Sequence, residues 1–179
     1  MHGNTLFAAA QKYKVMFGFE PAVAGGIPVI KAVREGLAAN RIESLAGIIN
    51  GTGNFILTAM TDQGRDFDDV LEEAQELGYA EADPSFDVDG IDAAHKLTIL
   101  ASIAFGMPLK FDQLLIEGIR HIQQDDVVYA KELGYAVKHL GIARRRITNG
   151  GTAVELRVHP TLIPPVSYTH LTLPTILLV

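Results

Sequence analysis

Residues 77–100 read LGYAEADPSFDVDGIDAAHKLTIL, and this stretch joins two helices of opposite character. The run ending in Leu77 is amphipathic: Phe67, Val70, Leu71, Ala74 and Leu77 recur at helical spacing across residues 66–77. Acidic residues fill its first turn, where they oppose the positive end of the helix dipole. Gly78 suits the left-handed residue that closes a helix. The run that starts at Ile91 and continues to Phe105 is the most apolar helix of the chain, and Gly106, Met107 and Pro108 stop it. Between the two lies an acidic loop. The spacing therefore predicts a loop with its charges held between one half-exposed and one buried helix.

Working outward, residues 4–13 predict a helix with Asn4 as its cap, and residues 14–19 (KVMFGF) a short strand. Residues 20–27 form a loop containing Gly25 and Gly26. Pro28 then starts a helix to about residue 40. Residues 44–49 (SLAGII) are a buried type of strand, residues 50–53 (NGTG) a turn, and the next helix starts at Asn54. Residues 114–119 predict a short strand, and residues 125–133 a helix capped by aspartates and closed by Gly134. Residues 136–147 and 152–159 predict two strands around the turn Thr148-Asn149-Gly150-Gly151. The whole is α/β (α+β), a mixed β-sheet covered by helices. Residues 1–165 form one domain. Residues 166–179 (VSYTHLTLPTILLV) carry no charge and fit neither an amphipathic helix nor a clean strand. They read as a non-native or unstructured tail, an ordinary terminal strand being the alternative.

The 179 residues are enough for one domain with a true core, and 48% hydrophobic with 20% charged residues is globular composition. A net charge of −6 opposes a nucleic-acid partner. The absence of cysteine rules out disulfides and thiolate metal sites and suits a cytoplasmic protein. No apolar run approaches a membrane span.

In the central loop, Glu81, Asp83, Asp87, Asp89 and Asp92 precede His95 and Lys96. Such crowding is repulsive unless a cation or a ligand amine offsets it. A solvated acidic loop is the plain reading. A calcium loop is rejected, because its frame puts Lys96 where a bidentate glutamate is needed. The third reading is an active site. Asp92 and Lys96 are four apart and share a helix face, at the edge of an apolar helix where an amine needs a carboxylate partner.

Together with its neighbours, this stretch resembles the signature of homoserine dehydrogenases. Three further segments resemble the same family in the same order: FEPAVAGGIPVI (19–30), GIINGTGNFIL (47–57) and DVVYAKELGYAVKHLGIA (126–143). The resemblance implies NAD- or NADP-dependent interconversion of homoserine and aspartate 4-semialdehyde. It implies Lys96 as the proton donor and acceptor, with Asp92 holding it. Glu81, Asp87, Gly51, Thr52 and Tyr79 would bind substrate. The resemblance also implies a monovalent cation, sodium, held by Glu20 and the backbone carbonyls of Val23, Gly25 and Ile27. It implies a homodimer formed through the sheet.

The family's G-x-G-x-x-G nucleotide-binding half is not in this sequence, so the residues that bind the cofactor are unknown and the chain alone is expected to be inactive. Two other readings stay open. One is a non-catalytic binding or scaffold module that keeps the fold. The other is a dehydrogenase for a related amino-acid semialdehyde.

Overall fold

The computed structural model describes residues 2–165. In chain order the elements are α1 (Gly3–Tyr13), α2 (Val29–Lys31), β1 (Ser44–Gly47), α3 (Gly51–Gln63), α4 (Phe67–Glu76), α5 (Ser85–Val88), α6 (Ile91–Phe105), β2 (Leu115–Ile116), α7 (Gln124–Glu132), β3 (Ala136–Thr148) and β4 (Gly151–Ile163). The sheet order is β1-β3-β4-β2. β3 and β4 form a long antiparallel hairpin, in register from Ala136 opposite Ile163 to Thr148 opposite Gly151. Asn149 and Gly150 connect the two strands, and Gly151, which follows them, takes the positive φ of 118° that favours glycine. β1 adds antiparallel to β3 and β2 adds parallel to β4, so the sheet is mixed, as the sequence implies. The tail expected over residues 166–179 lies outside the described residues.

The helices lie on one side of the sheet. α3 contributes Ile56, Leu57 and Met60 to a core shared with Val70 of α4, Val127 of α7 and Val137 of β3. α6 lays Ala93, Ala94, Leu97 and Ala101 on Ala143, Leu156 and Val158. Its alanines bring the helix axis close to the strands, and this explains why so apolar a helix is needed there. Gly106 closes α6 in the left-handed region, φ 65°. The sheet also carries a strip of Ile48, Leu140 and Ile163, flanked by Ala136 and Ile142, to which no helix residue contributes among the described residues. No described helix is long and apolar enough to cross a membrane.

Several local expectations are corrected. KVMFGF is not a strand. A strand needs a neighbour to pair with, and the sheet ends at β1, so Phe17 and Phe19 instead pack edge-on against Phe7 at 5.6 and 5.0 Å. Asn4 is not the cap of α1, which is His2. Its amide instead pairs with both backbone groups of Leu109, at 3.2 and 3.0 Å, tying α1 to the rest of the domain. The helix after Pro28 is short: α2 runs directly into a wide turn, Ala32–Gly36. NGTG is not a turn ahead of α3 but its cap and first turn. α7 is capped by Gln123, whose backbone N–H donates to Asp126 at 2.9 Å, rather than by an aspartate.

Candidate active site

Asn50 leaves β1 in an extended conformation and caps α3, its Oδ1 accepting from the Gly53 N–H at 2.8 Å. This is ordinary capping geometry. The other end of the same amide is less ordinary. Its two N–H groups donate to Asp87 Oδ1 at 2.6 Å and to Asp92 Oδ2 at 2.9 Å. Asn50 is 5% exposed, so the two carboxylates share one buried donor. Asp92 Oδ2 also accepts from Lys96 Nζ at 2.6 Å, with side-chain exposures of 18% and 28%. The i, i+4 pair foreseen in the sequence is thus formed, partly out of water, where it is stronger than a surface ion pair.

Thr52, in the first turn of α3, completes the cluster. Its hydroxyl lies 3.0 Å from Asp87 Oδ2 and 2.8 Å from the Tyr79 carbonyl oxygen. A hydroxyl has one proton, so these two acceptors share it. Asp87 is held by α5, which the buried Val88 anchors. Two carboxylates against one ammonium leave the cluster formally one negative charge in excess, facing a partly open surface.

The other predicted residues are placed as follows. Gly51 is the first residue of α3, and neither its N–H nor that of Thr52 donates to a described group. The Tyr79 ring packs edge-on against Phe55 at 5.3 Å, so its carbonyl rather than its hydroxyl meets the cluster. Glu81 is exposed, and its carboxylate makes no hydrogen bond among the described residues. Glu20 accepts from the N–H groups of Ile30 at 2.8 Å and Lys31 at 2.9 Å, so its carboxylate faces the start of α2. The Val23 and Gly25 carbonyls accept no described hydrogen bond, whereas that of Ile27 accepts from the Val29 N–H at 2.7 Å.

The remaining charges of the loop are structural. Asp89 pairs with Arg120 at 2.5 Å. Asp83 is held below the usual carboxylate range chiefly by hydrogen bonds from Ser85. His95 is stacked between Phe86 and Phe111, at 5.8 and 4.2 Å.

Sequence reading missed two residues. Asn50 stands in the sequence only as the first residue of a turn, because its acceptor aspartates are remote in the chain. His139, on β3, is 4% exposed beneath the cluster. Its Nε2 lies 2.9 Å from the Glu117 carbonyl oxygen. Burial pushes this imidazole below its ordinary value of 6.5. The fold therefore holds it neutral where the unfolded chain binds a proton, and stability falls as pH drops below that value. Urea unfolding at pH 7.5 and pH 5 is expected to show a smaller acid-induced loss in His139→Leu than in the parent; equal losses would contradict this.

The fold and the cluster define a class: an α/β domain in which two helix N-termini and an acidic loop converge on a lysine–carboxylate site. The chain belongs to the homoserine dehydrogenase family, whose model matches residues 28–171. It is 68% identical over 164 residues to the homoserine dehydrogenase of Pseudomonas aeruginosa, covering 92% of this chain and 37% of that protein. The Bacillus subtilis homoserine dehydrogenase is 43% identical over 173 residues, covering 95% and 39%. Among solved structures, the homoserine dehydrogenase from Thiobacillus denitrificans matches with a TM-score of 0.87 at 67% identity, over 91% of this chain and 37% of that one. A hyperthermophilic archaeal homoserine dehydrogenase in complex with NADPH matches with a TM-score of 0.71 at 28% identity, over 93% and 45%. The chain thus spans less than half the length of each. The resemblance carried by four sequence segments is borne out, and so is the mixed-sheet fold class.

Proposed function

We propose that the chain is the substrate-binding and proton-transfer domain of an oxidoreductase that interconverts L-homoserine and L-aspartate 4-semialdehyde, using NAD or NADP, on the route to threonine, methionine and isoleucine. The observation that carries this reading is the Lys96 amine held 2.6 Å from Asp92 at the edge of the cluster. When bound, the nicotinamide exchanges hydride with the substrate carbon. Lys96 then gives a proton to the developing alkoxide in reduction, or takes one from the hydroxyl in oxidation. Asp92 keeps the amine aimed at that oxygen. Asp87, with Glu81 at the rim, offers negative charge to the substrate ammonium. The free N–H groups of Gly51 and Thr52 suit its carboxylate. Tyr79 lines the same side through its backbone.

The cofactor would be held chiefly by a nucleotide-binding half outside this sequence, since none of the described loops is a glycine-rich phosphate cradle. A sodium ion is a subsidiary part of the reading. Glu20, Val23 and Gly25 supply oxygen atoms with unused lone pairs; Ile27 would have to share its carbonyl. A homodimer formed through the sheet belongs to the same reading. The reading places the enzyme in the cytoplasm, with a small-molecule substrate and neither nucleic acid nor membrane as partner.

The test is a graft. Residues 2–165 are joined to the nucleotide-binding half of the Pseudomonas aeruginosa homoserine dehydrogenase, and NADPH oxidation is followed with aspartate 4-semialdehyde and with its one-carbon-longer homologue. Turnover is expected from the graft with the shorter substrate, and none from the isolated chain. A graft that binds both ligands but never turns over would favour the scaffold reading, and preference for the longer substrate would favour the related dehydrogenase.

A further inference from the structure

We propose that His139 is a positioning residue for the Asn50–Asp87–Asp92–Lys96 cluster, a wedge that sets the distance between the first turns of α3 and α6. The consequence for catalysis rests on the function proposed above; the geometric claim does not.

Two glycines face the imidazole. Gly90 caps α6 two residues before Asp92, with φ 82°, and Gly53 lies in the first turn of α3, three residues after Asn50. A Cβ on Gly90 would lie 3.1 Å from His139 Cε1 and 3.3 Å from Nε2, and one on Gly53 would lie 3.8 Å from Nδ1. The imidazole thus lies tight against Gly90, where a Cβ would crowd it, and within ordinary contact of the place a Cβ on Gly53 would take. It lies at the start of α3, which delivers Asn50, and of α6, which delivers Asp92 and Lys96.

The ring is also fixed in rotation. The Glu117 carbonyl can only accept, so the Nε2 that lies 2.9 Å from it carries the proton. Glu117 is itself tied to the sheet, its N–H donating to the Val158 carbonyl at 2.8 Å. The chain of contacts runs from β4 through Glu117 and the imidazole to both helix starts. The Asn50 amide spans the gap these starts define, and hydrogen bonds of 2.6 and 2.9 Å to two different segments tolerate little change in that gap.

One feature separates positioning from filling. Nδ1 is buried and has no partner among the described residues. An apolar side chain of similar volume would remove that uncompensated polar atom. If His139 only filled space, His139→Leu would leave the cluster as it is.

The experiment is NMR of the 179-residue chain labelled with ¹⁵N, read at the Asn50 side-chain amide without substrate or cofactor. In the parent, the imidazole nitrogen shifts should show the Nε2–H form, and the Asn50 amide protons should exchange slowly with water. In His139→Leu, which has no donor, and His139→Asn, whose shorter amide does not reach the Glu117 carbonyl, that exchange is expected to be about tenfold faster or more, because the bridge opens locally. The amides of the distant hairpin tip, Arg146–Ala153, should keep their parental shifts. His139→Gln, whose terminal amide can reach the Glu117 carbonyl, is expected to restore slow exchange. Parental Asn50 exchange in either non-donating variant with an intact hairpin overturns the proposal, and so does a glutamine variant that behaves like asparagine. Should the leucine variant fail to fold, the asparagine and glutamine pair decides alone. None of these outcomes touches the dehydrogenase reading, which stands or falls on the graft.

Discussion

Lys96→Ala in the grafted enzyme is expected to lower kcat about 10²–10⁴-fold, the range a positioned proton-transfer group supplies. KM for homoserine should change little, because Asp87 and the first turn of α3 remain to hold substrate. A loss confined to kcat means that the amine acts in the transition state rather than in ground-state binding. Lys96→Arg should recover little, since the guanidinium keeps the charge but does not release its proton. Asp92→Asn should cost less than Lys96→Ala, because the amine survives and only its aim is loosened. Steady-state kinetics in both directions checks these expectations. Turnover of Lys96→Ala near the parental rate would remove Lys96 from the chemistry.

The largest effect on stability is expected at Asn50. Asn50→Leu keeps the volume, but it removes the cap of α3 and one donor from each of Asp87 and Asp92. A hydrogen bond to a charged group contributes about 1.5–3 kcal/mol and a cap about 1 kcal/mol. Both aspartates are partly solvated and recover some hydration, so the expected loss is about 2–4 kcal/mol. Urea unfolding of the chain measures it. A loss under about 1 kcal/mol would mean that the amide bridge contributes little. Asn50→Asp is the sharper companion, because it puts a third carboxylate where two already share one donor. Its destabilisation should be greater at pH 8 than at pH 5, where carboxylates begin to take up protons.

What was legible in the sequence follows the range of the forces involved. α4 and α6 were readable because a 3.6-residue period and terminal glycines are local signals. The hairpin of β3 and β4 was readable because Asn149-Gly150 marks its own turn. The Asp92–Lys96 pair was readable because four residues on a helix bring side chains together whatever surrounds them. KVMFGF misled because its pattern suits a strand, while a strand exists only if a neighbour accepts its hydrogen bonds. Glu81 shares the acidic loop with Asp87, and the sequence gives no means of telling that one turns inward and the other toward solvent.

By itself, then, the sequence determined the helices on either side of the acidic loop, the mixed sheet, the Asp92–Lys96 pair and the family. Only the tertiary structure decided that Asn50 joins Asp87 and Asp92 from 37 and 42 positions away, and that His139 lies beneath them. The reason is physical. Periodicity and capping act within a few residues, whereas a shared donor between two carboxylates depends on how two helix starts are packed onto one sheet, and no local pattern records that distance.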